Sequence, residues 1–179
     1  MVNLSIEHGN SDASCFAYVW FAIIAGPRFG NYKDGFRFGR LGYELVERRG
    51  LKRYEARTYM SFGNLIIPWK KHARNGRDLI LRAFDVANRI GDLTFAAYCC
   101  DSLNSNSLTV GEPLSGLQRQ AEKGLAFATK ARFGFVIDLI RPQVALVRTL
   151  RGLTSSFGSF DDDEFEETQF ERHQVSRAE

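Results

Sequence analysis

The sequence has few prolines and cysteines, and these shortages limit the classes of protein it can belong to. Only four of its 179 residues are proline, so long segments are free to be helical, because proline interrupts the helical hydrogen-bond ladder. The three cysteines, Cys15, Cys99 and Cys100, are an odd number that includes an adjacent pair. Such a set is a poor disulfide framework and indicates a reducing compartment. We therefore predict a cytoplasmic location and three buried, unpaired thiols.

The sequence also lacks an apolar run that could cross a membrane. Its longest such run, residues 13–25, falls short of the roughly 20 residues that span a bilayer. No basic region precedes it, so it does not have the pattern of a signal peptide. We predict a buried core helix here and no membrane partner.

Motifs that would indicate catalysis are missing. No Gly-x4-Gly-Lys-Ser/Thr phosphate loop occurs, and the serines lack the glycines of a nucleophile elbow. His8, His72 and His173 are far apart, and none has a His or Cys three or four residues away, which disfavours a metal site. We predict a non-enzymatic protein with no catalytic residues, no metal and no cofactor.

Charge is unevenly distributed along the chain. Residues 154–179 carry eight acidic and two basic side chains, so the net charge of +3 leaves +9 on the remainder. We predict a helical domain at 1–153 and an acidic C-terminal helix or tail at 154–179. The densest basic cluster consists of Lys70, Lys71, His72, Arg74 and Arg77. Such a cluster is typical of a solvated connector, and weak, salt-sensitive nucleic-acid binding is the alternative hypothesis.

The sequence does contain helical periodicity, most clearly between residues 76 and 93. Apolar residues there recur on one face of a helix, at Ile80, Ala83, Phe84, Ala87 and Ile90. Gly91 is then expected to end this helix, and Asp92 to cap the next one.

This pattern recurs about 42 residues upstream, at 41–51, and about 41 residues downstream, at 124–134. Leu45, Ala87 and Ala128 come into register, and each copy ends in basic residues followed by glycine. Three copies at a steady spacing indicate a helical array, and chance alignment of three amphipathic helices is the alternative.

The turn signals divide the chain into a loop at 1–11 and seven to eight helices. Asp12 is expected to cap the first helix, which ends near Gly26-Pro27, and the next helix runs to Arg49. Later helices are predicted at 52–67, then as a central helix that ends at Gly91, and at 93–108, 115–131, 135–150 and 161–172. Pro142 is expected to kink the helix at 135–150 or to mark its true start. Short connectors pair them into antiparallel hairpins. The fold class is thus all-α, a right-handed stack of hairpins in the manner of an α-solenoid.

Two resemblances follow from these residues. The spacings Ile80-x3-Phe84-x2-Ala87 and Ala121-x3-Leu125-x2-Ala128 resemble the second-helix signature of tetratricopeptide (TPR) repeats, although the period exceeds the standard 34 residues and the first-helix Trp and Leu-Gly-x2-Tyr pattern is missing. Residues 29–42 and 91–98 resemble the helical-repeat region of large bacterial signalling proteins. Those proteins also contain a serine/threonine-kinase-like domain, an AAA-type ATPase, a GAF domain and a sensor histidine kinase.

The resemblance implies a non-enzymatic scaffold for protein–protein contacts in bacterial signal transduction. Its partners would be other domains of a larger polypeptide or a peptide or protein ligand, and an exposed stacking face could make a homodimer. A third hypothesis is a small-molecule sensor pocket between helices, suggested by the aromatic content. The candidate concave groove comprises Tyr59, Asn64, Tyr98, Asn104 and Asn106, with Trp69 and Lys70 at its rim.

Overall fold

A computed structural model describes residues 1–178 and confirms the all-α class, because this part of the chain contains nine α-helices and no strand. The helices are α1 (Val2–His8), α2 (Ser14–Phe29), α3 (Tyr32–Arg49), α4 (Lys52–Ser61), α5 (Arg77–Ile90), α6 (Leu93–Thr109), α7 (Leu114–Lys130), α8 (Gly134–Leu150) and α9 (Glu167–Ala178). A π-helical turn, Phe62–Ile66, and a 3-10 turn, Ile67–Trp69, follow α4, and a second 3-10 turn, Ala73–Gly76, precedes α5.

The chain divides into two compact units, Met1–Val110 and Gly111–Glu179. In the first unit α2 packs on α3, α4 on α5, and α5 on α6. The helix α4 also contacts both α2 and α6. In the second unit α7 and α8 form an antiparallel pair, followed by α9. The predicted domain boundary at 153/154 falls inside this second unit and stays a prediction.

Helix ends in the first unit follow the capping signals of the sequence. The Asn31 side chain accepts a hydrogen bond from the Asp34 backbone N–H, and Asp92 does the same for Phe95 at 3.3 Å, so both residues cap helices as their type predicts. Gly50 and Gly91 have φ of 61° and 74°. This left-handed conformation ends α3 and α5 and costs glycine little.

Several predicted boundaries are wrong. Residues 2–8 form α1 instead of a loop, and α2 continues through Pro27 to Phe29. Asp12 does not cap α2: the helix begins after Ala13, and the Ser14 hydroxyl accepts from the Ser11 backbone N–H instead. The last helix begins at Glu167, since the acidic residues before it form turns. Pro142 lies within a continuous α8.

Three glycines of α2 and α3 lie where a side chain would collide with a neighbour. A Cβ at Gly42 would overlap the Cys15 carbonyl oxygen, and Cβ atoms at Gly26 and Gly35 would lie 2.8 Å and 3.1 Å from the indole of Trp69. Gly30, by contrast, serves as the left-handed cap of α2, with φ 68°.

A second close approach joins the segment after α4 to the start of α5. In the π-helical turn the Ile67 N–H donates to the Phe62 carbonyl, five residues back. The turn brings Gly63 against Gly76, where a Cβ on Gly76 would overlap the Gly63 carbonyl oxygen. Backbone therefore packs on backbone at this point.

Candidate functional site

The predicted groove residues on α4 and α6 lie largely in the interior. Tyr59, Asn104 and Asn106 are buried, so no partner can reach these side chains, and we remove them from the candidate groove. The Tyr59 hydroxyl donates to the Glu47 carboxylate, and the Arg82 guanidinium lies 4.6 Å from the centre of the Tyr59 ring. These contacts link α3, α4 and α5.

The polar side chains predicted beside Tyr59 serve the same internal packing. Asn64 donates to the Ser102 hydroxyl at 3.2 Å, and Asn106 donates to the Ala73 carbonyl at 2.9 Å. Tyr98 is half-buried and packs edge-on against Phe95, with ring centres 5.7 Å apart. The asparagines predicted as ligand-binding groups thus hold α6 to the connector before α5.

The two rim residues differ from one another. Trp69 is half-buried, with its ring edge-on to Tyr32 at 5.2 Å and above Gly26 and Gly35. It therefore seals the end of the α2–α3 pair. Lys70 is exposed, as are Lys71, His72 and Arg74.

The cysteines are buried and unpaired, as predicted. Burial, with the neighbouring Asp101, raises the pKa of Cys100 to about 11, and burial, with Cys100 and Asp92, raises that of Cys99 further. Burial also raises the pKa of Cys15. Because the thiolate is the nucleophile and the metal ligand, these thiols are inert near neutral pH. Over residues 1–178, no group of three His, Cys, Asp or Glu side chains is arranged to hold a metal ion.

A group of large apolar side chains on α2 remains accessible. With 3.6 residues per turn, Ala17, Trp20, Phe21 and Ile24 fall within about 100° of helix arc, and we call them the α2 stripe. Trp20, Phe21 and Ile24 remain 49%, 40% and 50% exposed. The prediction of a buried core helix is therefore correct for only one side of α2, the side that packs on α3 and α4.

A cleft continues this stripe between α2 and α3. It has a volume of about 400 Å³ and is lined by Phe21, Phe38 and Leu41, with Asn31, Asp34 and Arg37 at its margin. The Phe21 and Phe38 rings meet edge-on at 4.7 Å. An apolar floor with a polar margin is the usual composition of a protein contact site.

No protein-family model matches the chain, and no curated protein matches it significantly. Function is therefore inferred from the surfaces of the molecule.

Sequence reasoning missed the α2 stripe for a specific reason. A helix that is apolar all round is normally buried all round, and residues 13–25 have that composition. The available signal was the arc of large side chains at Trp20, Phe21 and Ile24, opposite the small residues Cys15, Ala22 and Gly26, which form the packed side. Among the described helices, none is both long and apolar enough to cross a bilayer.

Proposed function

We propose that this protein is a non-enzymatic helical-repeat scaffold that binds another protein through the α2 stripe. The observation that carries the proposal is the group of large apolar side chains, Trp20, Phe21 and Ile24, left about half exposed beside an apolar cleft. Contiguous exposed apolar surface of this kind marks an interaction site.

The packing order within the first unit supports a TPR-like repeat. Alternate helices α2, α4 and α6 contact one another in succession, while α3 and α5 each pack against the alternate helices on either side of them. Stacked helical hairpins produce this order. The helices that carry the register residues also end at a regular spacing of about 40 residues, at Arg49, Ile90 and Lys130.

The stripe belongs to the first hairpin of this stack, so the surface that would bury it is another helix. A repeat array needs its terminal apolar face covered or made polar. In our proposal the covering helix comes from a second protein chain or another domain of a larger bacterial signalling polypeptide, and a second copy of this chain is the simplest probe. Partner binding would then bias the conformational equilibrium of a joined domain.

Sedimentation equilibrium of the whole chain from about 1 to 200 µM tests the stripe. We expect a monomer–dimer equilibrium that Ile24→Glu abolishes, because a carboxylate buried in an apolar contact is strongly unfavourable. The matched control is Ile90→Glu, which places the same charge at a similarly exposed apolar residue of α5.

A photo-crosslinking amino acid at position 24 or position 90, introduced in the cells that express the protein, extends the test to other partners. The proposal predicts a discrete adduct at position 24 that is absent at position 90. A monomer at every concentration, combined with equal crosslinking at both positions, would contradict it.

The two other functional hypotheses stay open to test. Lys70, Lys71 and Arg74 are exposed, while Arg77 donates to the Ser107 hydroxyl at 2.6 Å and so belongs to the interior of the first unit. Oligonucleotide anisotropy across a salt series would reveal binding by the exposed cations. A small-molecule sensor would show a ligand-dependent thermal shift that Phe38→Ala, at the α2–α3 cleft, removes.

A further inference from the structure

The acidic segment of the second unit lies on a basic and apolar surface of α8. Arg148 Nε lies 2.7 Å from Asp162 Oδ2, and Arg148 Nη1 lies 3.1 Å from Glu164 Oε2. The Asp162 side chain is only 6% exposed, whereas that of Glu164 is 76% exposed. One carboxylate is thus inserted and the other remains at the surface.

An aromatic side chain accompanies the inserted carboxylate. Asp162 Oδ1 accepts hydrogen bonds from the backbone N–H groups of Glu164 and Phe165, at 2.7 Å and 3.0 Å. Phe165, which follows this tight turn, lines one cavity together with Leu125, Val144 and Ala145. We call the surface formed by Leu125, Arg141, Val144, Ala145 and Arg148 the hairpin groove.

The segment fills the hairpin groove incompletely. A cavity of about 150 Å³ remains next to Phe165, and another of about 300 Å³ lies between Arg141 and the residues of α9 that face it, Phe170 and His173. Arg141 lines both cavities, and none of the ion pairs among the described side chains, residues 1–176, involves it. The groove therefore retains an unused cation and unfilled apolar space.

Beyond Phe165, one aromatic contact and one His–Asp approach involve the described side chains of the segment. Phe170 packs on Phe165 with ring centres 5.2 Å apart, and the half-exposed His173 lies 3.4 Å from Asp138. Residues 151–160, which lead to the segment, are rich in serine and glycine, a composition typical of flexible linkers. The helices α7 and α8 pack directly on one another, so these contacts do not depend on the segment.

We propose that the hairpin groove is a binding site for an acidic peptide segment of a partner protein that carries an aromatic anchor, and that residues 161–173 occupy it as an internal competitor. The ligand chemistry is the one seated there: a carboxylate on Arg148 and an aromatic ring beside Val144 and Ala145. A partner with a further carboxylate for Arg141 uses a charge that the internal segment leaves unpaired. This site is separate from the α2 stripe, and the two proposals can fail independently.

Competition has a measurable consequence for affinity. A ligand that needs the empty groove has an apparent Kd equal to its intrinsic Kd divided by the fraction of empty groove. Weakening the internal segment therefore tightens external binding without any change to the groove itself.

The experiment uses the whole chain and a fluorescent synthetic peptide with the sequence of residues 159–174, followed by anisotropy. The double variant Asp162→Asn/Phe165→Ala weakens the internal segment, so it should bind the peptide at least tenfold more tightly than the wild type. Adding Arg148→Glu should abolish that binding. Adding Arg119→Glu, which removes an exposed cation of α7 outside the groove, should leave it unchanged.

Hydrogen exchange on the wild-type chain supplies a second measurement that needs no substitution. Excess unlabelled peptide should speed exchange of the Phe165 and Phe170 amides, which are bonded within the segment. Equal affinity of the wild type and the double variant, with exchange unaffected by peptide, would overturn the proposal. A wild-type dimer that Arg148→Glu dissociates would also overturn it, by assigning the groove to the segment of a second copy.

Discussion

The two units of this protein achieve their packing by different means. In the first unit glycines bring backbones into contact, at Gly42 with Cys15 and at Gly76 with Gly63. In the second, an acidic segment closes the helix pair through ion pairs and leaves cavities of about 150 and 300 Å³. Tight backbone packing permits one arrangement of the helices, because protein interiors transmit strain. The acidic segment is held by ion pairs beside voids, so another segment can take its place.

The aromatic residues allow the units to be followed separately. Both tryptophans, Trp20 and Trp69, and all six tyrosines precede residue 111. Tryptophan fluorescence therefore reports on the first unit alone, while circular dichroism reports on both. Four experiments, in order of decreasing effect at neutral pH, test this difference between the units.

Gly76→Ala should cause the largest loss of stability. Its Cβ would overlap the Gly63 carbonyl oxygen, and because that neighbour is backbone it cannot move aside as a side chain would. We expect the free energy of unfolding of the first unit to fall by about 3 kcal/mol, measured by urea titration of tryptophan fluorescence. Gly116→Ala in α7 meets nothing within 4 Å and should raise helix stability slightly. Equal effects of the two substitutions would refute the contrast.

Enlarging a buried alanine should have the second-largest effect on stability, and the effect should differ between the two units. Ala22 is fully buried in α2, and its carbonyl oxygen would lie 3.2 Å from a Cβ built on Gly35. Ala22→Val adds two methyl groups at this crowded position. We expect it to cost about 2 kcal/mol. Ala145→Val projects into the 150 Å³ cavity of the second unit and should be neutral within about 0.5 kcal/mol. The readouts are urea unfolding by fluorescence and circular dichroism, and similar losses in both variants would argue against loose packing near Ala145.

Tyr59→Phe should have a moderate effect confined to the first unit. It removes the hydroxyl that donates to Glu47 and accepts from Arg82, at 3.1 Å, but leaves the Glu47–Arg82 ion pair at 3.0 Å. Loss of these two charge-assisted hydrogen bonds should cost about 1.5 kcal/mol, because Glu47 and Arg82 remain paired with one another. Tyr32→Phe, at an exposed ring, is the control and should match the wild type in urea. A neutral Tyr59→Phe would show that the ion pair alone joins these helices.

The smallest effect concerns alkaline pH. Burial raises the pKa of Cys100 from 9.0 in the unfolded chain to about 11, so the folded state holds the proton more tightly. The stability contributed by this thiol is complete below pH 9 and is lost as pH rises from 9 towards 11. Cys100→Ala should therefore show a shallower decline of tryptophan-monitored stability across that window. A decline identical to that of the wild type would contradict the assignment.

Much of the fold could be predicted because its signals are local. Gly91 and Asp92 end one helix and begin the next within two residues, and both act as their types predict. The α7 and α8 helices each lie within one residue of their predicted ranges. Periodicity and capping depend on near neighbours in sequence, which a single chain displays.

The candidate site could not be predicted in the same way, because it depends on which surfaces remain uncovered. Tyr59 and Asn104 have residue types typical of binding surfaces, yet neighbouring helices bury them. Trp20 lies in a segment with core composition, yet no described helix covers its outer side completely. Exposure is decided by tertiary packing, about which the helical period of one segment carries no information.

The π-helical turn at Phe62–Ile66 makes this part of the chain sensitive to length. Each residue of a helix turns the next by about 100°, so removing a single residue from the turn would rotate Trp69 away from Gly26 and Gly35 and slide Gly63 past Gly76. Substitutions here can be absorbed one side chain at a time, but a deletion displaces both contacts at once. Homologous chains should therefore vary in composition across this turn while keeping its residue count.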